Sequence, residues 1–130
     1  MRIIEEKIIK TFIECMNDSD MTKKAFNLSC RDTVTKSKNI VAFELWGNRI
    51  FWCDCETKSF YFCFCGYSTN TTKSRLNALL HHFNYGGFYQ KNWDIFWTNR
   101  NNNIKVDTSK TYKIIVSDSV VNIEAINESF

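Results

Sequence analysis

Two closely spaced cysteine pairs within one aromatic-rich segment constrain this chain more than any other feature. The segment covers residues 49–67 and reads RIFWCDCETKSFYFCFCGY. Its Cys-x-Cys pairs, Cys53/Cys55 and Cys63/Cys65, flank a short polar turn between two runs rich in aromatic residues. Because side chains along a strand alternate between faces, each pair directs both of its thiols to the same side. The segment therefore predicts a hairpin with one thiol face and one apolar face.

The predicted strand pairing decides which other side chains share these faces. A Gly47-Asn48 turn between apolar runs is a hairpin signal, and centring the hairpin there places Phe43 opposite Trp52. Directly opposed residues share a face, and a slip of one residue would divide the aromatic side chains between two faces. The apolar face is therefore expected to carry Val41, Phe43, Leu45, Ile50, Trp52, Phe60, Phe62 and Phe64.

Four thiols on one face favour a metal site. With Cys53 opposite Cys65 and Cys55 opposite Cys63, neighbouring Cβ atoms would lie ~5 Å apart, and Zn²⁺ accepts four cysteine sulfurs in a tetrahedron. We therefore predict a structural zinc ion held by these four cysteines. Their spacing, Cys-x-Cys-x7-Cys-x-Cys, departs from the wider spacing usual in zinc knuckles. Plain packing of buried thiols, two cross-strand disulfides and an iron–sulfur cluster are the competing interpretations.

Two histidines and two further cysteines are additional candidate ligands. His81 or His82 could replace a cysteine at the zinc ion, or join Cys15 or Cys30 in a second site. Adjacent residues on a helix point about 100° apart, so at most one histidine would face a given site. We favour a simpler role for both, because an imidazolium at a helix C-terminus interacts well with the helix dipole.

Composition and motifs exclude several classes of protein. No apolar run approaches the ~20 residues that a membrane span needs, and charges at Glu5, Glu6 and Lys7 interrupt the N-terminal segment, so we expect no signal peptide. The expected location is thus the cytoplasm, where structural disulfides are rare. No phosphate loop, nucleophile elbow or His-Glu-x-x-His pattern occurs in the sequence, so we expect no catalytic residues, no small-molecule substrate and no enzyme activity.

One group of cationic and aromatic residues would fit nucleic-acid binding instead. Surfaces that bind single strands combine such residues, although an ordinary solvated face can do so as well. The net charge of +3 and the pI of about 8.5 are lower than is typical of nucleic-acid-binding domains. A small nucleic-acid-binding regulator is therefore the alternative function. The residues in question are Lys73, Arg75, Lys91, Arg100, Tyr89 and Trp93.

Hydrophobic periodicity predicts an α+β fold in a single domain, residues 1–130. Helical spacing of apolar residues predicts helices at 3–16, with Glu5 facing away from the core, and at 71–83, capped by Asn70 or Thr71. The strands should form a mostly antiparallel sheet, with the second helix on its aromatic face and the N-terminal helix beside it. Strands are expected within 25–37, at 38–46, along the cysteine hairpin, at 88–90 and 95–98, and as a pair at 104–106 and 112–116. Residues 117–130 fit neither period and form a weak strand or a short helix.

Residues 66–99, GYSTNTTKSRLNALLHHFNYGGFYQKNWDIFWTN, resemble small proteins of phages and mobile elements. In those proteins a strand ends in a Tyr-Ser/Thr-x-Thr-Thr-x-x-x-Leu segment that leads into a short helix, and a Tyr-Gln-Lys-Asn-Trp hairpin follows. The match covers about a quarter of the chain, and the cysteine hairpin is not part of that pattern. The matching positions are Tyr67, Thr69, Thr71, Thr72, Arg75, Leu76, Asn77, Tyr89, Gln90, Lys91, Asn92 and Trp93.

A compact phage protein with a zinc-stapled hairpin and no catalytic motif is similar to the anti-CRISPR proteins, in particular type II-A inhibitors of the RNA-guided nuclease. This resemblance implies stoichiometric binding to a host type II CRISPR nuclease in the bacterial cytoplasm. It also implies a block of guide loading, DNA loading or nuclease movement. The group shares no common motif, so the resemblance assigns no contact residues.

Overall fold

The computed structural model describes residues 2–100 and 102–127, and these form an α+β fold, as predicted. The helices are α1 (Ile3–Asn17) and α2 (Asn70–His82). The strands within the described ranges are β1 (Lys24–Asn27), β2 (Asp32–Ser37), β3 (Ile40–Leu45), β4 (Asn48–Asp54), β5 (Ser59–Cys63), β6 (Gly87–Lys91), β7 (Asp94–Asn99), β8 (Asn102–Val106), β9 (Thr111–Ser117) and β10 (Val120–Ile126).

The strands form two antiparallel sheets. The larger has seven strands in the order β1-β2-β3-β4-β5-β9-β10, and the smaller has three in the order β6-β7-β8. The sequence predicted one mostly antiparallel sheet, so the strand direction is confirmed while the division into two sheets was missed. No helix in the described part of the chain is long and apolar enough to cross a membrane.

Both helices and the inner side of both sheets enclose the main core. The apolar stripe of α1 is buried through Ile8, Ile9, Phe12 and Cys15, as its periodicity predicts. Helix α2 begins after Thr69, whose hydroxyl accepts the Thr72 N–H at 3.2 Å and so caps the helix. The cap lies one residue before the predicted candidates. Aromatic side chains bridge the layers, with the Phe12 and Phe51 ring centroids 5.3 Å apart and those of Phe60 and Phe83 4.8 Å apart.

The three-stranded sheet turns one face to this core. Phe88, Ile95, Trp97 and Val106 are buried in the same apolar cluster as the helices. Trp97 donates from Nε1 to the Tyr85 carbonyl at 2.9 Å, which satisfies the polar atom of a fully buried ring. The alternating residues of these strands therefore lie on the opposite, outer face.

The predicted pairing of residues 104–106 with 112–116 is wrong. Strand β8 pairs with β7, whereas β9 pairs with β5 and β10. The intervening turn redirects the chain between the sheets: the Lys110 N–H donates to the Asp107 carbonyl at 3.1 Å, and the Gly66 N–H donates to the Thr108 carbonyl at 2.8 Å. Residues 117–130, predicted to form a weak strand or a short helix, contain strand β10. Residues 128–130 lie outside the described ranges.

A buried ionic cluster joins both helices to the large sheet. The Arg75 guanidinium on α2 donates to Asp32 Oδ1 at 2.7 Å and to Glu5 Oε2 at 3.1 Å. Ser74 Oγ donates to the same Glu5 oxygen at 2.6 Å. The expected outward placement of Glu5 and the surface role of Arg75 are therefore wrong, since both side chains are buried. Helical periodicity missed them because it treats every charged residue as solvated.

Candidate functional site

The β3–β4 hairpin shows why the cysteines differ from their predicted arrangement. Leu45 pairs with Asn48, so the two turn residues are Trp46 and Gly47, one residue earlier than predicted. Between Phe43 and Glu44 the register shifts: Phe43 pairs with Phe51, and Ile50 becomes the extra residue of a β-bulge. Both Ile50 and Phe51 are buried in the main core. Beyond the bulge, the two faces of β4 are exchanged relative to the prediction.

This exchange separates the two buried thiols. Cys53 pairs with Phe60 and lies in the main core, whereas Cys63 packs on the other face of the sheet with Trp52 and Tyr61. The predicted opposition of Cys53 and Cys65, and that of Cys55 and Cys63, is therefore wrong. The predicted core partners Phe60, Phe62 and Phe64 are confirmed, while Trp52 belongs to the opposite face.

The four thiols form two local pairs instead of a square. The sulfurs of Cys53 and Cys55 lie 4.0 Å apart. On the other strand the Cys65 N–H donates to the Cys63 sulfur at 3.1 Å, and the Cys65 thiol donates to the Arg49 carbonyl at 3.2 Å. No group of three or more His, Cys, Asp or Glu side chains that could hold a metal occurs among residues 2–100 and 102–127. Cys53 and Cys63 therefore do not share the single face of the sheet that the predicted zinc site requires.

Hydrogen bonding and burial give the thiols different acidities. Hydrogen bonds from Cys65 lower the pKa of Cys63 to about 6. Burial raises the pKa of Cys53, because the core disfavours its charged form. Of these two buried thiols Cys63 is therefore the more acidic, and it lies on the face of the sheet opposite the main core.

The remaining candidate ligands are not brought together. His81 and His82 are exposed in the last turn of α2, where the sequence placed them. Cys15 is buried on the core side of α1, and Cys30 is exposed in the connection before β2. Each belongs to a different environment, so the structure does not assemble a second site from them.

An uncharged groove lies between the β3–β4 turn and the loop before α2. It has a volume of about 440 Å³, and its lining includes the buried side chains of Leu45, Ile50 and Phe64. Trp46 and Tyr67 also line it, and both are exposed. Threonine hydroxyls and one asparagine complete the lining, in which no described residue is charged: Asn48, Thr69, Thr71 and Thr72.

Two tryptophans occupy strained positions at hairpin turns. Trp46 has φ +52° and is 65% exposed, and Trp93, in the Asn92-Trp93 turn between β6 and β7, has φ +70° and is 92% exposed. Positive φ is unfavourable for bulky side chains, and such turns favour Asn and Gly. Trp93 lines a second depression together with Ser68. The sequence neighbours of Ser68, Tyr67 and Thr69, line the groove together with Trp46. The loop at residues 66–69 thus contributes to both depressions.

The outer face of the three-stranded sheet carries a second aromatic feature. Tyr89 pairs with Phe96, and their rings stack with centroids 5.3 Å apart and an interplanar angle of 17°. The Tyr89 hydroxyl donates to Asn103 Oδ1 at 2.8 Å. Lys105 is paired with Phe96 across β7 and β8, and therefore shares this face. Lys91, two residues after Tyr89, shares it as well. We call these five residues the outer face.

The sequence indicated this surface only in part. Tyr89, Lys91 and Trp93 were predicted to be exposed, whereas Phe96, Asn103 and Lys105 were not considered. Strict alternation of outward and inward residues in FYQK and DIFWTN would have shown that Phe96 shares a face with Tyr89. Nothing local marks Trp46 and Tyr67, because their exposure depends on which turn type the chain adopts.

Residues 1–118 match the family described as Kyanoviridae Gp96 protein. The match spans most of the chain, which therefore belongs to this family of phage proteins. Neither a curated protein nor a solved structure matches the chain.

Proposed function

We propose that this phage protein acts by binding another protein without chemistry of its own, and that its partner is a host type II CRISPR RNA-guided nuclease. Binding would occur in the host cytoplasm and would block DNA loading or cleavage. The observation that carries the binding role is the pair of exposed rings, Trp46 and Tyr67, that line the uncharged groove, with Trp93 exposed at a second turn. The choice of partner is supported by the resemblance of residues 66–99 to small phage proteins.

Exposed tryptophans at strained turn positions are difficult to explain by stability alone. Each holds a bulky side chain in a left-handed conformation, which costs on the order of 1 kcal/mol or more. Each also exposes a large apolar ring to water. Tryptophan and tyrosine are enriched among the residues that dominate the affinity of protein–protein interfaces. The uncharged groove that Trp46 lines can accept a hydrophobic side chain of the partner, and this arrangement suits protein binding better than phosphate binding.

A DNA-cleavage assay tests this proposal directly. Purified protein is titrated against the guide-loaded nuclease, and against nuclease to which guide RNA is added afterwards. We expect cleavage to fall to near zero at about one equivalent in at least one order of addition. Trp46→Ala should raise the required concentration at least tenfold, because truncating a central interface aromatic typically costs about 2 kcal/mol or more. Undiminished cleavage at large molar excess in both orders would contradict the proposal.

A matched variant controls for general damage to the surface. Tyr89→Ala removes an exposed aromatic ring on the outer face of the small sheet, away from the groove-lining residues. It should inhibit as well as the unmodified protein. If Tyr89→Ala weakened inhibition more than Trp46→Ala, the groove would not be the contact surface.

A small nucleic-acid-binding regulator is the second candidate function. It is favoured by a different observation, the stacked Tyr89 and Phe96 rings flanked by Lys91 and Lys105. Binding through lysines must weaken with salt because counterions are released from the phosphates. A salt-dependent mobility shift with no effect on the nuclease would favour this function over the first.

A further inference from the structure

We infer that the outer face of the three-stranded sheet binds single-stranded nucleic acid, with bases stacked on the Tyr89–Phe96 pair and phosphates contacted by Lys91 and Lys105. This inference rests on the nucleic-acid-binding candidate and adds the binding site and the form of nucleic acid. It is independent of the groove around Trp46.

The aromatic pair provides a preformed stacking surface. Its rings are nearly parallel, and the tyrosine remains 37% exposed. A hydrogen bond to Asn103 fixes the tyrosine hydroxyl at 2.8 Å, so little side-chain freedom is lost when a base stacks on the ring. Aromatic side chains on an open sheet are a recurrent way of holding unpaired bases.

Charge on the same face is complementary to a phosphate backbone. Lys91, two residues after Tyr89 on β6, and Lys105, paired with Phe96 from β8, are both exposed beside the ring pair, and Asp94 pairs with Lys91 on the same face. Asp94 lies 3.5 Å from the Lys105 ammonium, but both side chains are about half exposed or more, so solvent screens this ion pair strongly. Release of the lysine to a phosphate would therefore cost little.

The geometry favours a single strand over a duplex. In a duplex the bases are paired and stacked on each other, so their faces are not available to Tyr89 and Phe96. Reading a duplex usually requires an element that enters the major groove, such as a helix or a two-stranded ribbon. The outer face instead offers exposed ring faces with lysine ammonium groups beside them.

Fluorescence anisotropy with labelled oligonucleotides tests the inference. The probes are single-stranded dT and rU 12-mers and a 12-base-pair DNA duplex, measured at several salt concentrations. We expect the single strands to bind at least tenfold more tightly than the duplex. Two phosphate contacts predict a slope of log K against log[salt] of about −1.4. Lys91→Met or Lys105→Met should reduce the magnitude of this slope by about 0.7.

Variants of the ring pair separate stacking from charge. Tyr89→Ala should weaken single-strand binding by roughly tenfold without changing the salt slope, in line with the loss of one base–aromatic stack. Tyr89→Phe keeps the ring and should restore most of the affinity. The matched control is Tyr67→Ala, which removes an exposed tyrosine from the groove and should leave oligonucleotide binding unchanged.

The possible outcomes distinguish this inference from the function on which it rests. Equal binding of duplex and single strands would overturn the inference while leaving nucleic-acid binding in place. Single-strand binding that is lost in Tyr67→Ala but kept in Tyr89→Ala would place the site elsewhere. Absence of binding to all three probes at low salt would overturn both the inference and the nucleic-acid-binding candidate.

Discussion

The buried ionic cluster and the exposed tryptophan turns depart from the usual distribution of side chains in opposite ways. Arg75, Glu5 and Asp32 are charged and almost inaccessible, whereas Trp46 and Trp93 are large, apolar and largely in solvent. In most proteins charged groups remain exposed and large rings are buried, so a departure in either direction is informative. The first departure is satisfied inside the chain by hydrogen bonds at 2.7 and 3.1 Å. In the second, the exposed tryptophan rings would be removed from water only by a partner that covers them.

This contrast assigns different roles to the two regions. The ionic cluster joins α1, α2 and the start of β2, so it fixes the helices on the sheet. The tryptophan turns contribute little to that packing, and each holds its tryptophan at a positive φ that is unfavourable for a bulky residue. Substitutions in the two regions should therefore have opposite consequences for stability and for binding.

The largest expected effect is at the ionic cluster. Arg75→Met keeps much of the side-chain volume but leaves Glu5 buried without a cation and Asp32 with only Arg31, whose Nε lies 3.8 Å from Asp32 Oδ2. We expect the free energy of unfolding to fall by about 3–5 kcal/mol, the usual result of breaking a buried ion pair on one side. Urea denaturation monitored by tryptophan fluorescence measures the change.

A second arginine provides the control for this substitution. Arg100 is exposed in the turn between β7 and β8, and Arg100→Met should change stability by no more than about 0.5 kcal/mol. Replacing the whole cluster, as Glu5→Leu, Asp32→Leu and Arg75→Met together, should recover part of the loss because no unpaired charge remains. If Arg75→Met were as mild as Arg100→Met, the cluster would not hold the helices in place.

The same contrast shows what the sequence could and could not predict. Apolar periodicity identified both helices and placed Val41, Phe43 and Phe62 in the core, because these positions follow a regular alternation. Periodicity failed at the bulge in β4, where the extra residue, Ile50, reverses the faces on which Trp52 and Cys53 lie. A bulge has no periodic signature, so the residues that follow it on β4 are assigned to the wrong face.

The prediction of where the charged core residues lie failed for a related reason. Glu5 and Arg75 are 70 positions apart in the chain, and only the packing of α1 on α2 brings them together. A helical stripe predicts which side of each helix is apolar, but not which charged residue at its edge meets a partner on another helix. The candidate sites depend on such long-range placement, which explains why they were predicted less well than the fold.

A smaller effect of opposite sign is expected at the tryptophan turns. Trp93→Gly converts the Asn92-Trp93 turn into Asn-Gly, the pair best suited to two positive φ angles. We expect the free energy of unfolding to rise by about 0.5–1 kcal/mol, because strain is relieved and no buried contact is lost. Trp46→Asn should act in the same direction.

The binding assays sharpen this prediction. If the tryptophans serve a partner, the stabilised Trp46→Asn variant should inhibit the nuclease at least tenfold more weakly than the unmodified protein. Greater stability together with weaker function is the pattern expected where a strained conformation is used for binding. A loss of stability in both tryptophan variants would instead show that these rings support the fold.

The smallest expected effect is that of removing metal. It tests whether the cysteines, like the ionic cluster, are satisfied by contacts within the chain. Cys53 lies in the main core, while Cys63 lies on the other face of the same sheet. One Zn²⁺ ion cannot reach sulfurs on both faces at the ~2.3 Å that zinc–thiolate bonds require. We therefore expect elemental analysis of the purified protein to show well under one equivalent of zinc, and a chelator to leave the melting temperature unchanged. If the protein instead held one equivalent of zinc, and both Cys53→Ser and Cys63→Ser removed it, β4 would have to adopt the register without the bulge. All four thiols would then lie on one face, and Trp52 would take the place of Phe51 in the core.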